Sequence, residues 1–293
     1  MEKATHVHPY DKDNIFIVNE VYGTPEKIMT SYGLDGPVSL LDADLINPTD
    51  ERVPLVELGL RQLGIMSDLY ACKLYKMEDE SLEQLLLRKS NGKYDLYYVN
   101  GAERIWHKVW LERGELEKAL KYFYSTMAFS TTVDTGHCSE RFCPQMPWLV
   151  PWQPNASGNG RIIDMIHRTL FYERDGWLNI LAGAPASWLK PGNKIEVKKG
   201  ITTLGHINFS IESKREKQDD RYYNIEGRFN LSNERKVLGI RISIRIPFEG
   251  KLTKALICTG KSKEYEETVI ENDSIVILNP TEQFSVMCIW DIL

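Results

Sequence analysis

"GIRISIRIP", residues 239–247, is the stretch that decides the fold class of the carboxyl-terminal part of the chain. Every second residue in it is an isoleucine: Ile240, Ile242, Ile244 and Ile246. The residues between them are polar: Arg241, Ser243 and Arg245. Because successive side chains of a strand point to opposite faces, the pattern predicts an antiparallel strand with one face on a core and the other near water.

Short stretches of the same kind surround this strand from Gly176 onward, with turn residues about every ten positions. They are "GHINFSIES" (205–213), "RYYNIEGRF" (221–229), "KALICTG" (254–260), "SIVIL" (274–278) and "QFSVMCIW" (283–290). Several short strands at that spacing are typical of a β-sandwich. We therefore predict an antiparallel β-sandwich domain over residues 189–293, with its boundary at the turn of Pro191 and Gly192.

Upstream of this region the apolar residues follow a helical period. "AERIWHKVWLERG" (102–114) and "ELEKALKYFYSTMAF" (115–129) predict a helix pair broken at Gly114. "SGNGRIIDMIHRTLFYER" (157–174) predicts a further helix, capped by Ser157 or Asn159. The apolar residues expected on its buried face are Ile162, Ile163, Ile166 and Leu170. The sequence thus predicts an α+β fold, with an irregular segment at 1–48 and helical hairpins over 49–188.

Composition and charge exclude several classes of protein. The chain has 293 residues, 42% of them hydrophobic and 26% charged, as soluble globular proteins do. Its net charge of −5 argues against a nucleic-acid binder, and no stretch approaches the length of a membrane span. With a polar amino terminus that lacks the pattern of a signal peptide, we expect a cytoplasmic protein with no membrane partner.

One irregular stretch, "DTGHCSERFCPQMPWLVPWQPN" (134–155), concentrates reactive side chains. A metal site, a disulfide loop and the wall of a binding cleft are three interpretations of it. His137, Cys138 and Cys143 lack a second ligand pair nearby, and five scattered cysteines do not form a disulfide framework. We expect no metal and no cofactor, although a zinc-dependent enzyme remains a third hypothesis, and both thiols fit as small buried groups.

The cleft interpretation rests on flat rings and paired carboxyls in the same stretch. Trp148 and Trp152 offer faces on which a sugar can stack, whereas Trp106 and Trp110, one helical turn apart, are expected in the core. Cleavage of a glycosidic bond needs two carboxyls, for which Glu140, Asp134 and Asp44 are the candidates. Asp50 is expected to cap a helix. Further candidate substrate-binding residues are His137, Arg141, Gln153 and Asn155.

The stretch from "DTGHCSE" through "PWLVPWQPNASGNGRIIDMIHRTLFYERDGWLNILAGAPASWLKPGNKIEV" resembles the carboxyl end of six-hairpin glycosidases. That resemblance implies an (α/α)6 toroid followed by a β-sandwich. It also implies that Glu140 is the general acid, with Asp44 as a poorer match for the second carboxyl, whereas Asp134 is a candidate from its place in the loop alone.

A full toroid of twelve helices needs about 300 residues at ordinary helix lengths, so this chain can hold only part of one. A partial ring exposes apolar helix faces, so we expect a homo-oligomer or a part of a longer chain. The predicted function is a carbohydrate-active hydrolase. The alternative is a non-catalytic carbohydrate-binding or assembly protein derived from a truncated glycosidase.

Overall fold

The computed structural model describes residues 5–7, 16–18, 40–54, 57, 98–99, 102–132, 134–138, 141–142, 154–203, 205–215, 222–231, 238–259, 264–272 and 274–292. The chain divides into two compact units, Met1–Ile166 and His167–Leu293. Helices precede two sheets in which antiparallel pairs dominate, so the fold is α+β with a β-sandwich-like carboxyl-terminal part. Among the described helices, none is long and apolar enough to cross a membrane.

The first unit is built on helices and two small strand pairs. The helices whose bounds the structure gives are α1 (Ala102–Glu112), α2 (Leu116–Ser130) and α3 (Ala156–Leu170), and the last turn of α3 belongs to the second unit. The antiparallel strand pairs are β1 (Thr5–Val7) with β2 (Phe16–Val18), and β3 (Tyr98–Val99) with β4 (Arg141–Phe142).

Helices α1 and α2 form the predicted hairpin. Gly114 adopts a φ of +77° at the break, a conformation that suits a residue without a Cβ. The backbone N–H of Glu115 donates to Trp110 O at 2.8 Å and so closes the end of α1. Trp106 and Trp110 are completely buried, which confirms that they are core residues.

In its described residues, the second unit contains two sheets and one short 3-10 helix (Ala186–Leu189). The five-stranded sheet has the order β13-β14-β10-β6-β5, with β5 at Phe171–Arg174, β6 at Trp177–Ile180, β10 at Gly239–Ser243, β13 at Val269–Glu271 and β14 at Ser274–Leu278. The six-stranded sheet has the order β12-β11-β15-β9-β8-β7, with β7 at Lys194–Thr202, β8 at Gly205–Arg215, β9 at Tyr222–Leu231, β11 at Gly250–Thr259, β12 at Glu266–Glu267 and β15 at Gln283–Ile292. Strands β6 and β10 pair in parallel.

The core of the second unit is formed by one face of each sheet. Ile240 and Ile242 of β10 are buried in it, as is Ile244 just after the strand, as their alternation predicts. From the six-stranded sheet, the rings of Phe229 and Phe284 stack with centroids 4.7 Å apart. Contrary to the prediction from the sequence, the polar face of the five-stranded sheet is not open to water, because Asn179 and Ser243 on that face are also buried.

Two details differ from the sequence-based expectation. Strand β5 begins at Phe171 and strand β6 at Trp177, so sheet structure starts well before the predicted boundary at 188/189. On α3, Ile163 is 67% exposed, whereas Ile162, Met165 and Thr169 are buried. Adjacent residues of a helix lie about 100° apart, so Ile162 and Ile163 cannot both occupy the centre of one buried face.

Candidate functional site

The connection between α2 and α3 carries most of the predicted site, and its two ends are held together. The backbone N–H of Asn155 donates to Cys138 O at 2.9 Å, and Cys138 N donates to Asn159 Oδ1 at 2.7 Å. Thr131 also forms a β-bridge with Cys138. We call residues 138–155 the pinned loop. Since its first and last residues share a hydrogen bond, the segment leaves the helices and returns to the same point, as functional loops of this length often do.

A compact turn leads into the pinned loop. Thr132 N donates to His137 O at 2.9 Å, and His137 N donates to Thr132 Oγ1 at 3.0 Å. Asp134 Oδ1 accepts from Thr135 N at 2.9 Å, which holds its carboxylate against the turn. The turn leaves the side chains of Asp134 and His137 exposed beside the base of the loop.

Asn155 closes the loop as a helix cap. Its Oδ1 accepts from Gly158 N at 2.6 Å, which satisfies one of the free N–H groups at the start of α3. The predicted caps, Ser157 and Asn159, are therefore wrong: the cap is Asn155, and the side chain of Asn159 accepts from Cys138 instead. Because Oδ1 of Asn155 caps the helix, its proposed contact with substrate uses the amide nitrogen of the same side chain.

The remaining loop residues are only partly described. Arg141 lies in β4, where its backbone is paired with Val99. Candidate residues that lie outside the described residues are Glu140, Cys143, Trp148, Trp152 and Gln153. The side chain of Cys138 is buried. In the described part of the chain, no group of three or more His, Cys, Asp or Glu side chains could hold a metal ion.

Asp44 lies in residues 40–50, which we call the acidic segment, and α1 holds this segment by its charges. Lys108 Nζ lies 2.7 Å from Asp44 Oδ1, 3.1 Å from Asp42 O and 3.3 Å from Leu41 O. The side chain of Lys108 is only 3% exposed. These three acceptors satisfy a buried ammonium, so Asp44 stabilises the attachment of the segment.

Two arginines of the same region extend the attachment. Arg104 contacts Asp42 Oδ2 at 2.5 Å and Asp164 Oδ2 at 3.0 Å, and so joins the acidic segment, α1 and α3. Arg113 donates to Pro48 O at 2.6 Å and to Asp50 O at 3.2 Å. One guanidinium thus pairs with both carboxylates and offsets part of their negative charge.

Asp50 makes a local side-chain contact within the turn at residues 50–52, and its expected role as a helix cap stays a prediction. Its Oδ1 accepts from the backbone N–H of Arg52 at 2.9 Å, and its side chain also pairs with the Arg52 guanidinium. These hydrogen bonds to the ionised form hold the pKa of Asp50 at about 2, below its usual value of 3.8. Asp50 is therefore a structural carboxylate that stays charged at neutral pH.

The sequence did not single out three residues that the structure brings into this region. Arg104 and Lys108 are spaced one turn apart on α1, and their partners lie about sixty residues away in the chain. Glu57 accepts a hydrogen bond from the buried Tyr122 hydroxyl. The acidic residues at 42–50 and the basic residues of α1 are a sequence signal for Arg104 and Lys108. This signal does not show which carboxylate pairs with which basic side chain.

Comparison of the chain with models of known protein families, and with curated proteins, finds no match. The site is therefore interpreted from its own geometry. That geometry is a loop closed at its base, an exposed aspartate and histidine beside it, and an acidic segment tied to α1 by buried cations.

Proposed function

We propose that the protein binds a carbohydrate at the pinned loop and hydrolyses a glycosidic bond there, with Glu140 as the general acid. The observation that carries this proposal is the hydrogen bond between Asn155 N and Cys138 O, because it gives a fixed base to the segment that holds Glu140, Trp148 and Trp152. A fixed base reduces the conformational entropy that a loop loses when it orders around a ligand.

Asp134 is the better candidate for the second carboxyl. It lies in the turn that leads into the pinned loop, and its side chain is exposed. Asp44 is engaged by the buried ammonium of Lys108, and using it as a base would disturb that pair. The proposed pair is therefore Glu140 as acid and Asp134 as base or nucleophile.

The helical hairpin of α1 and α2 supports a finer proposal about the fold. We infer that it is one hairpin of a partial α/α toroid, as the resemblance to six-hairpin glycosidases implies. The two helices are antiparallel neighbours joined by a short turn, which is the repeating unit of such a ring.

Turnover of aryl glycosides by the wild type and by Glu140→Gln tests the catalytic proposal. The substitution keeps the shape of the side chain and removes its proton, so kcat should fall at least about a hundredfold. Asp42→Asn is the matched control, since it changes a carboxylate placed against Arg104, and it should keep most of the activity. Full activity of Glu140→Gln with an unchanged melting temperature would remove Glu140 from the mechanism.

A non-catalytic carbohydrate-binding protein is the second candidate. The observation that favours it is that Asp42, Asp44, Asp50 and Asp164 each contact an arginine or lysine. Calorimetric titration with oligosaccharides distinguishes the two functions. Binding that Trp148→Ala and Trp152→Ala weaken, without turnover by the wild type, would favour the binding protein.

A further inference from the structure

The five-stranded sheet places three polar side chains side by side on the face opposite the core. Arg241 of β10 is in register with Asn179 of β6, and Asn179 is in register with Tyr172 of β5. Residues adjacent to them in their strands, Ile240, Leu178 and Phe171, belong to the core. Since side chains alternate, Arg241, Asn179 and Tyr172 share the other face, with the outer two about 10 Å apart at a strand spacing of about 4.8 Å.

These side chains are buried or half-buried, and no described residue forms a hydrogen bond with them. Tyr172 is 8% exposed and Asn179 is 7% exposed, while Arg241 is half-buried. Within the described residues, no hydrogen bond or ion pair engages any of the three side chains. The polar atoms of these three side chains are not among the fully buried atoms without a partner, so solvent reaches them and a ligand can replace that water.

Arg241 is held in position without a carboxylate. Its guanidinium lies over the ring of Trp177, 5.1 Å from the centroid. The Trp177 ring in turn lies over Gly239, where a Cβ would come within 2.4 Å of Cζ3. The absence of a side chain at Gly239 therefore lets Trp177 lie flat and support Arg241 by a cation–π contact. This contact orients the guanidinium and leaves its N–H donors unused.

The charge around the row is positive. The charged groups that act on the Tyr172 hydroxyl are Arg241, Arg168 and Arg245. Burial raises the pKa of Tyr172, and the three guanidinium groups oppose that shift. The phenol therefore stays protonated at neutral pH and remains a hydrogen-bond donor. Every group in the row can donate, and the local charge favours an anion.

We propose that Arg241, Asn179 and Tyr172 form a binding site for a small ligand that carries an oxyanion, either a carboxylate or a phosphate. The guanidinium matches the two oxygens of such a group, and the carboxamide and phenol donate to it or to neighbouring hydroxyls. The site goes beyond the proposed hydrolase function, because it lies in the second unit and uses no residue of the pinned loop.

Isothermal titration calorimetry on the full chain tests the site with three probes: sodium glucuronate, inorganic phosphate and glucose. We expect one of the anions to bind and neutral glucose to bind far more weakly at this site. Glucuronate alone would identify an acidic sugar as the ligand, and phosphate alone a phosphorylated compound. Arg241→Gln should weaken binding at least about tenfold. Arg228→Gln is the matched control, since Arg228 is an exposed arginine on β9, and it should bind as the wild type does.

Tyr172→Phe separates a ligand-binding role from a structural one. The hydroxyl has no hydrogen-bond partner among the described residues, so its removal should leave the melting temperature unchanged or raise it, yet weaken anion binding several-fold. The proposal is overturned if neither anion binds to the folded wild type, or if Arg241→Gln and Tyr172→Phe both bind as tightly as Arg228→Gln. Because Glu140→Gln leaves this site intact, loss of glycoside turnover and loss of anion binding are separate results.

Discussion

The Nζ of Lys108 lies 2.7 Å from Oδ1 of Asp44, and the two side chains are 3% and 63% exposed, respectively. An almost fully buried ammonium thus depends on a carboxylate that is itself largely in water. The exposed carboxylate gains little stabilisation from the ion pair. Without Asp44, however, the buried ammonium of Lys108 would lose its only ionic partner among the described residues.

Replacing Asp44 by Asn should therefore destabilise the protein. Asp44 has a φ of +56°, a conformation that Asn also tolerates, so the substitution isolates the charge. We expect a loss of about 1–2 kcal/mol in the free energy of unfolding, measured by chemical denaturation. Asp134→Asn, at an exposed turn, should leave stability unchanged. Equal stability of the wild type and Asp44→Asn would mean that the two carbonyls alone satisfy Lys108.

Asp50 should make stability depend on pH in the acidic range. Its pKa in the folded protein is about 2 and lies below the usual 3.8, so the folded state favours the ionised form. The contribution is present above pH 4 and is lost as the pH falls from about 4 through 2. The melting temperature of Asp50→Asn should therefore approach that of the wild type below pH 2 and lie below it at pH 6. A constant difference across this range would contradict the assigned pKa.

Gly239→Ala should destabilise the five-stranded sheet and weaken the anion site together. The new methyl group would meet the ring of Trp177, and overpacking of this kind costs about 1–3 kcal/mol. The displaced ring would no longer support Arg241. Gly160→Ala should have the opposite effect on stability, because nothing lies close to a Cβ at this position of α3. Alanine there should raise the free energy of unfolding by about 0.5–1 kcal/mol. Thermal unfolding of both variants, with phosphate titration of the first, measures these effects.

Asn155→Ala should loosen the base of the pinned loop. The substitution removes the cap of α3, which contributes about 0.5–2 kcal/mol to the free energy of unfolding. The backbone hydrogen bond from Asn155 N to Cys138 O then no longer has the cap contact beside it. Asn155→Asp keeps an acceptor at the helix start and should remain close to the wild type. If the loop binds carbohydrate, oligosaccharide affinity should fall for the alanine variant alone. An unchanged melting temperature for Asn155→Ala would show that the cap contributes little.

We also expect the isolated chain to associate with itself. The proposed partial toroid leaves helix faces without neighbours, and the first unit exposes Leu45, Tyr124 and Ile163 by 73%, 44% and 67%. Light scattering should give a mass above the 33.8 kDa of one chain at micromolar concentration. A stable monomer under those conditions would argue against a partial ring. Ile163→Lys should reduce association if α3 contributes to the contact.

The elements with long, regular patterns could be predicted from the sequence. The alternation at Ile240, Ile242 and Ile244 gives both the strand and its buried face, because a period of two has one structural interpretation over that length. The hairpin break at Gly114 is equally clear. By contrast, β5 and β6 span four residues each, which is too short to show a period, so the start of the sheet could not be predicted.

The sites could be predicted only where their residues are close in the chain. The stretch from Asp134 to Asn155 was singled out because its side chains are neighbours in sequence. The pairing of Lys108 with Asp44 joins residues 64 positions apart, and nothing local marks it. The row of Tyr172, Asn179 and Arg241 depends on a parallel pairing across a long connection, which residue types alone do not give.

The parallel pairing of β6 with β10 also sets an order of events during synthesis. About 60 residues separate Ile180 at the end of β6 from Gly239 at the start of β10. At about 5–20 residues per second, the ribosome delivers β10 roughly 3–12 s after β6. During this interval β7, β8 and β9 emerge in turn, while Leu178 and Ile180 still have no neighbour on the edge that β10 later fills. Until β10 pairs with it, the exposed edge of β6 can pair with other chains and aggregate. Chaperones that bind exposed strands would prevent this.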